Sequence, residues 1–164
     1  MLAGAAHTFD EPQVDGLAHA LQCGAILGRE QPADVELAVA GLVHDISDAV
    51  TPGDHTDHDR RGALLVKGLF GARVAKLVGG HVLAKRYLVT TEPSYRSVLN
   101  DRSTETLAEQ GGILGATELE LLDNDPDLDA LLMLRRADER AKDPAAIVPG
   151  LDVWRPILES IALR

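Results

Sequence analysis

The stretch Leu37-Ala38-Val39-Ala40-Gly41-Leu42-Val43-His44-Asp45-Ile46-Ser47-Asp48 is the part of the chain on which the fold prediction rests. Its apolar and small residues recur with helical periodicity, and this stripe ends at two adjacent residues of metal-binding type, His44 and Asp45. Burying an imidazole and a carboxylate there costs free energy unless a partner compensates both groups. A divalent or trivalent cation would be such a partner. The alternative is a plain helix end, where the helix dipole favours histidine.

The composition favours one helical domain. The chain has 164 residues, which is enough for one substantial core, and it is rich in Ala, Leu and Val but poor in aromatic residues. We therefore predict a single domain over residues 1–164. The net charge of -10 makes nucleic acid and anionic membranes unfavourable partners. With one cysteine, no basic leader and no run of about 18 apolar residues, we expect a soluble cytoplasmic protein.

Helical periodicity recurs along most of the chain, and no convincing alternating strand interrupts it. We predict helices at about residues 14–28, 33–48, 56–69, 72–88, 104–110, 118–122, 125–142 and 153–163. Gly71 is expected to separate the third helix from the fourth. The predicted class is therefore all-α.

Four of the six histidines lie on predicted helices among small apolar residues, namely His19, His44, His58 and His81. A single histidine on such a face is usually an ordinary core residue. Four of them, together with Asp45 and Asp138, are better explained by a metal site, because imidazole and carboxylate are the ligands of borderline transition metals. Helical bundles hold such ions between residues that project inward from several helices. The residues thus predict one or two metal ions in the core.

The order of these residues resembles the HD-domain superfamily of metal-dependent helical proteins. The family pattern is a first histidine, an adjacent His-Asp pair and a distant aspartate, here His19, His44-Asp45 and Asp138. The binuclear branch has two further histidines between the pair and the last aspartate, here His58 and His81. His55 competes with His58 for one of these places. We prefer His58 because a small residue, Gly62, follows it one helical turn later, as in the family.

Three longer segments resemble the PhnZ-type HD-domain oxygenases, which are mixed-valent diiron enzymes. They are HVLAKRYL at 81–88, LAEQGG at 107–112 and LRRADERAK at 134–142. The resemblance covers about residues 10–145 and implies an HD-domain helical bundle with a metal site in its core. In the phosphonate-cleaving members, O2 is used to break a carbon–phosphorus bond and release phosphate.

The resemblance also implies roles for individual residues. One iron would be held by His19, His44 and Asp138, the other by His58 and His81, and Asp45 would bridge the two ions. Lys85 lies one turn after His81 and matches the lysine that holds the phosphonate, so it is the expected substrate-binding and catalytic cation. The weaker candidates for contacts with the substrate are Arg135, Ser103, Gln110 and Asp48. Arg135 could instead pair with a ligand carboxylate.

Two departures from the family pattern bear on the substrate. The best-known members place a tyrosine and a glutamate shortly before the first histidine, whereas this chain reads Thr8-Phe9-Asp10-Glu11. Glu11 is the candidate for the acidic catalytic role, and there is no tyrosine. Asp48 stands where those members usually have a third histidine. A further acid there would favour a cationic group on the substrate, such as an amine or a quaternary ammonium.

Three functions are compatible with these residues. The first is an oxygenase with two irons in the Fe2+/Fe3+ state and O2 as cosubstrate, acting on a small 1-hydroxyphosphonate. The second is a binuclear phosphohydrolase of a phosphate ester or nucleotide, in which two metals activate a water. The third is a non-catalytic metal-sensing module, which the complete ligand set disfavours. The three PhnZ-like segments, and a chain with only one Trp, two Tyr and two Phe to stack on a base, favour the oxygenase.

Overall fold

The computed structural model describes residues 2–3, 14–51 and 57–163 of the chain. Within these ranges there are eight α-helices and no β-strand, which confirms the all-α prediction. The helices are α1 Gly16–Glu30, α2 Val35–Val43, α3 Ile46–Val50, α4 His58–Thr91, α5 Asp101–Glu109, α6 Ala116–Asp123, α7 Leu128–Arg140 and α8 Leu151–Ile161. A 3-10 helix, Tyr95–Val98, lies between α4 and α5.

Helix starts follow local capping chemistry. Asp15 precedes α1 and its Oδ1 accepts a hydrogen bond of 2.8 Å from the backbone N–H of Ala18. Asn100 does the same for α5, where its Oδ1 accepts from the N–H of Ser103 at 2.6 Å. Such caps satisfy N–H groups that have no partner within the helix. The Asn100 cap explains why α5 begins three residues before the predicted start at residue 104.

The core lies between α1, α2, α4 and α7. Its fully buried leucines come from all four helices: Leu27, Leu42, Leu77 and Leu134. Gly41 lets α1 and α2 approach closely, because a Cβ there would lie 2.5 Å from Cδ1 of Leu27. Trp154 of α8 is 4% exposed and packs against Gly24 of α1, which extends the core to the last helix. None of the described helices is long and apolar enough to cross a bilayer.

The helix predicted at 33–48 is in fact two helices. α2 ends at Val43, and α3 starts at Ile46 after a turn formed by His44 and Asp45. The His44 ring ends α2, because its Nδ1–H donates to the carbonyl oxygen of Gly41 at 2.8 Å. That carbonyl belongs to the last turn, where acceptors lack partners within the helix. The break separates the His-Asp pair from the apolar stripe that precedes it.

α4 is one long helix with a sharp kink at Gly71, the residue predicted to separate two helices. Gly71 has φ 87° and ψ -178°, a conformation that is open essentially to glycine alone. Just after the kink, Arg73 donates to Asp34 before α2 at 2.7 Å and to Asp127 before α7 at 3.1 Å. Arg73 therefore ties three parts of the bundle together and holds the second half of α4 in place.

Candidate metal centre

One cavity of about 120 Å³ lies where α1, the α2–α3 turn, α4, α5 and α7 meet. It brings together most of the residues singled out in the sequence: His19, Asp45, Asp48, His58, His81, Lys85, Ser103, Gln110, Arg135 and Asp138. His44 is completely buried and does not line the cavity itself, but its ring lies against that of His19, which does. Glu11, and His55 as the alternative to His58, lie outside the described residues.

Three of the four clustered imidazoles are anchored in the same way. The Nδ1 atom donates to a backbone carbonyl in each of them: His19 to Ala141 at 2.9 Å, His44 to Gly41 at 2.8 Å and His81 to Val78 at 2.7 Å. A carbonyl oxygen can only accept, so the proton of each ring is on Nδ1. In the neutral ring the lone pair is then on Nε2, which is the arrangement typical of metal-binding histidines.

The Nε2 atoms converge in two pairs. His19 and His44 bring their Nε2 atoms to 3.3 Å, and His58 and His81 bring theirs to 3.0 Å. At such distances two lone pairs repel each other unless a proton or a metal ion lies between them. In the first pair both rings carry the proton on Nδ1, and in the second pair His81 does, so three Nε2 lone pairs are directed at these two positions. The donor set fits a transition metal.

Asp45 faces both histidine pairs with different oxygens. Its Oδ2 is 3.1 Å from Nε2 of His44, while its Oδ1 is 3.6 Å from Nε2 of His81 and 3.8 Å from that of His58. Two groups of possible ligands result, His19/His44/Asp45 and Asp45/His58/His81, each with donor atoms within 4.8 Å of one another. A carboxylate in this position can be shared between two cations, and its charge would offset their repulsion.

Asp138 lies beside the first histidine pair only. Its Oδ1 is 3.3 Å from Nε2 of His19 and 3.8 Å from Nε2 of His44. Its Oδ2 accepts a hydrogen bond of 2.5 Å from the guanidinium of Arg135, one turn earlier on α7. Burial alone would raise the pKa of Asp138, but this guanidinium holds it well below its usual range. The carboxylate is therefore ionised and available as a ligand.

The local electrostatics suit metal binding. Burial lowers the pKa of His81 to about 3, with the neighbouring His58 contributing in the same direction, so the ring stays neutral. For Asp45, burial alone would raise the pKa, but the positive charge of protonated His44 beside it holds it below its ordinary value. Burial alone would lower the pKa of His44, but Asp45 raises it well above its ordinary value, so a metal ion that binds His44 would displace a proton. Neutral imidazole and ionised carboxylate are the forms that bind metal ions.

The position of His58 depends on α3 as well as on α4. His58 is the first residue of α4, and its carbonyl oxygen accepts a hydrogen bond of 2.9 Å from the hydroxyl of the buried Ser47. One turn on, a Cβ at Gly62 would lie 3.3 Å from the carbonyl oxygen of His44. The absence of a side chain at Gly62 thus allows the first turns of α4 to pack against the His44-Asp45 turn. This packing explains the need for a small residue one helical turn after His58.

Lys85 is 2% exposed and lines the cavity one turn after His81. Its Nζ donates to the hydroxyl of Thr106 at 3.0 Å and to the backbone carbonyl of Ser103 at 3.3 Å. Such partners are needed, because a buried ammonium costs free energy when its donors are not satisfied. The sequence does not single out Thr106, since a lone threonine within a polar helix carries no recognisable signal.

Arg135 is committed largely to protein partners. It donates to Asp138 through Nη1, to the hydroxyl of Ser103 through Nη2 at 3.1 Å and to Tyr95 through Nε at 3.2 Å. Nη2 also forms an ion pair with Glu139. The sequence left two roles open for Arg135, a contact with the substrate or a pair with a ligand carboxylate. The structure shows the pair, with Asp138. Glu139 was not predicted as a site residue, although its i+4 spacing from Arg135 is the usual signal for an ion pair.

Two polar groups of the cavity wall face it from α5 and α3. Gln110 follows the last residue of α5, and its Oε1 is buried with no hydrogen-bond partner within the described chain. A buried acceptor of this kind is uncommon and suits a ligand that donates to it. Asp48 of α3 is 8% exposed, and among the described residues it is the one acid of the cavity wall besides the predicted ligands Asp45 and Asp138.

Comparison with known proteins identifies the family of this chain. The HD domain family matches residues 16–142, a range that holds all six predicted ligands. The chain belongs to the HD domain family. The cavity lies mostly within the matched range, where α1, the α2–α3 turn, α4, α5 and α7 meet.

The relatives of this HD domain include proteins named for phosphonate oxidation. A protein of Leisingera caerulea named (1-hydroxy-2-(trimethylamino)ethyl)phosphonate dioxygenase (glycine-betaine-forming) is 31% identical over 144 residues, covering 83% of this chain and 72% of that protein. The hydroxymethylphosphonate dioxygenase of Gimesia maris is 30% identical over 162 residues, covering 93% and 80%. The uncharacterized protein L432 of Acanthamoeba polyphaga mimivirus is 30% identical over 145 residues, covering 82% and 66%.

Proposed function

We propose that this HD domain is an O2-dependent diiron oxygenase that cleaves the carbon–phosphorus bond of a small 1-hydroxyphosphonate and releases phosphate. The observation that carries the proposal is the position of Asp45, whose two oxygens face separate histidine pairs in the cavity that Lys85 also lines. The two relatives named as phosphonate dioxygenases support the reaction class.

The proposed ligand sets follow the two histidine pairs. His19, His44 and Asp138 would hold one iron, His58 and His81 the other, and Asp45 would be shared. When bound in the Fe2+/Fe3+ state, the two ions would supply O2 activation and the removal of hydrogen from the carbon that bears the hydroxyl. Hydrogen bonds from atoms that would not touch the metal hold the ligands in place. The main ones run from Nδ1 of His19, His44 and His81 to backbone carbonyls.

Lys85 would bind the phosphonate. A chain with a net charge of -10 repels anions at long range, so an anionic substrate needs a local cation. Lys85 is buried and lies next to His81, where its charge is little screened by solvent. Gln110 lines the same cavity, and its NH2 group would donate to a phosphonate oxygen while its Oε1 would accept from the hydroxyl of the substrate. Ser103 also lines the cavity, and its hydroxyl donates to Glu139, so its role would be to hold the wall around the substrate.

The cavity has room for a small substrate, since its volume of about 120 Å³ is near the roughly 150 Å³ of an engineered protein cavity that binds benzene. A second cavity of about 610 Å³ shares His58, Val82, Thr106 and Gln110 with it, so volume does not separate a small phosphonate from a nucleotide. The two relatives named as phosphonate dioxygenases are what supports the oxygenase over a nucleotide phosphohydrolase that uses the same ligands.

Asp48 is the residue that we propose selects the organic group of the substrate. It places a carboxylate on the cavity wall, where an ammonium or a quaternary ammonium would find a counter-charge. The substrate named for the Leisingera relative carries a trimethylamino group, whereas hydroxymethylphosphonate carries no cation. With Asp48→Asn, we expect the preference for the cationic substrate over hydroxymethylphosphonate to fall roughly tenfold in kcat/KM.

Electron paramagnetic resonance tests the proposed reaction. Protein reconstituted with iron and a reductant, then exposed to air, should show a mixed-valent diiron signal that changes when 1-hydroxyphosphonates are added. Phosphate release should then depend on O2. Protein without such a signal that hydrolyses phosphate esters with Mn2+ would instead be a phosphohydrolase, and the oxygenase proposal would be wrong.

A further inference from the structure

Two consecutive residues of α4, Lys85 and Arg86, contact different parts of α5. Lys85 donates to the hydroxyl of Thr106 within the helix at 3.0 Å. Arg86 contacts the turn that follows the helix, where its Nε donates to the carbonyl of Gly112 at 3.0 Å and its Nη2 to that of Gly111 at 3.4 Å. The segments HVLAKRYL and LAEQGG, which are far apart in the sequence, therefore form one unit in the fold.

The turn that Arg86 contacts has a backbone that glycine adopts most readily. Gly111 has φ 99° and Gly112 has φ 65°. A Cβ at Gly111 would lie 3.2 Å from Cζ of Arg86, so the missing side chain lets the guanidinium lie against the chain. The turn also closes α5, because the N–H of Gly112 donates to the carbonyl of Leu107 at 2.8 Å. Its conformation determines how the preceding residue, Gln110, leaves the helix.

Gln110 lies at the border between the two cavities. It lines the cavity that holds the predicted ligands, and it also lines the second cavity of about 610 Å³, whose wall includes Arg86. Its Oε1 is buried and accepts no hydrogen bond from the described part of the chain. The position of this acceptor therefore depends on the backbone that carries it, and Arg86 fixes that backbone just beyond Gln110.

An arginine suits this place because its guanidinium presents several donors in one plane. Nη1 of Arg86 forms an ion pair of 3.0 Å with Oε1 of Glu118 on α6, while Nε and Nη2 donate to the two glycine carbonyls. The Arg86 side chain is only 15% exposed, so these contacts are largely shielded from water. A lysine has a single nitrogen and could not contact both carbonyls and the carboxylate with this geometry.

We infer that Arg86 is a positioning residue for substrate selection. By fixing the turn after α5, it holds the amide of Gln110 where Oε1 accepts a hydrogen bond from the hydroxyl of a 1-hydroxyphosphonate. This role rests on the proposed function in so far as it requires such a substrate in the cavity. It goes further by assigning the preference for a hydroxyl group to a residue that does not line the cavity of the predicted ligands.

Substitutions of Arg86 and Gln110 should weaken the same part of substrate binding. Arg86→Met removes the guanidinium and keeps most of the side-chain volume, and Gln110→Ala removes the amide. In each variant, anaerobic calorimetry on the iron-loaded protein should show roughly tenfold weaker binding of hydroxymethylphosphonate, the effect of about one hydrogen bond. Methylphosphonate, which lacks the hydroxyl, should lose roughly threefold at most. Iron content should be unchanged, and KM for hydroxymethylphosphonate should rise more than kcat falls.

A double variant shows whether Arg86 acts through Gln110. Because Arg86 is expected to have no contact of its own with the substrate, Arg86→Met combined with Gln110→Ala should bind hydroxymethylphosphonate no more weakly than Gln110→Ala alone. Glu118→Gln is the matched control. It removes the charge that pairs with Arg86 and leaves the bonds to the two carbonyls, so both phosphonates should bind as they do to the wild type.

The remaining outcomes each count against this role. If Arg86→Met weakens both phosphonates equally, or if the double variant binds more weakly than Gln110→Ala, Arg86 only supports the fold of the wall. If Arg86→Met does not fold, Arg86→Lys decides, and a wild-type ratio of the two affinities in that variant overturns the inference. Wild-type protein that binds neither phosphonate would overturn the proposed function as well. Wild-type binding that Gln110→Ala leaves unchanged overturns the inference and leaves the oxygenase proposal standing.

Discussion

At the scale of single residues, His44 uses its two ring nitrogens for two different purposes. Its Nδ1 donates to Gly41 and ends α2, while its Nε2 faces Asp45 and His19. The two interpretations that the sequence left open, a helix-end histidine and a metal ligand, are therefore compatible in one side chain. Capping the helix is what orients the ring toward its neighbours.

Asp45 is the residue whose loss should affect both halves of the proposed centre. With Asp45→Ala, we expect iron content to fall from about two ions per chain to one or none, because the carboxylate between the two histidine pairs is gone. Elemental analysis of the purified protein measures this. Asp48→Asn, a change in the same cavity, should keep both ions. A fully active Asp45→Ala protein with two irons would exclude the shared-ligand arrangement.

Lys85 should matter for the anion and not for the metals. Lys85→Met removes a buried ammonium that lines the cavity, so phosphonate affinity should fall about 30-fold or more, as for the loss of one desolvated charge partner. Iron content should stay the same, since Nζ donates to Ser103 and Thr106, which are not predicted ligands. Loss of iron in this variant would mean that Lys85 supports the metal site instead.

Cys23 gives a prediction about pH and reactivity. It is completely buried, and burial raises the pKa of its thiol from 9.0 to about 12. Between these values the unfolded chain loses a proton that the native protein keeps, so the free energy of unfolding should fall as the pH rises through this range. Cys23→Ala should flatten that dependence. A thiol reagent at pH 8 should modify the single cysteine only after denaturation.

At the scale of elements, α4 is the helix that contributes most to the cavity. It carries His58, His81 and Lys85, and its kink at Gly71 lies between the two histidines. The first half is tied to α3 through the hydrogen bond from Ser47 to His58, and the second half is held by Arg73. The approach of the His58 and His81 rings thus depends on the angle at which the two halves meet.

A pair of glycine substitutions tests this kink. Gly71→Ala should destabilise the protein by about 1–3 kcal/mol, because its φ of 87° with ψ near 180° is strained for a residue with a Cβ. Gly68→Ala is the matched control in the same helix. It is exposed, and its Cβ would meet nothing within 4 Å, so helix propensity should stabilise the protein by up to about 1 kcal/mol. Urea denaturation should show these opposite signs.

At the scale of the whole molecule, the cavity exists only because several elements meet. α1, the α2–α3 turn, α4 and α7 supply the predicted ligands, and α5 supplies the polar wall around Lys85. The two pairs of facing Nε2 atoms lie close to the carboxylates of Asp45 and Asp138. This grouping of ligands forms only in the folded chain, so a metal ion that binds there favours the folded state.

Metal removal should therefore lower global stability. We expect a chelator to reduce the Tm, and iron or Mn2+ to restore it in proportion to the logarithm of free metal, because an ion that binds only the folded chain stabilises it by mass action. Differential scanning calorimetry of the stripped and reloaded protein measures this. In His81→Leu the added metal should raise Tm less. A Tm that does not respond to metal would contradict the proposed centre.

The sequence by itself determined the helical class, the break at Gly71 and most of the polar residues that line the cavity. These features depend on short-range periodicity, on the conformations open to glycine and on the chemistry of side chains, all of which can be read locally. The order of His19, His44, Asp45, His58, His81 and Asp138 was sufficient to predict an HD domain, and the family match over residues 16–142 confirms it.

Only the tertiary structure decided how the cavity wall is assembled. It showed that α2 stops at Val43, that Arg135 is held by Asp138 and Glu139, and that Thr106 and Lys142 join the wall. The bonds from Lys85 to Thr106 and from Ser103 to Glu139 join residues that are 21 and 36 positions apart. Periodicity does not specify such contacts, because they depend on the angles at which helices pack.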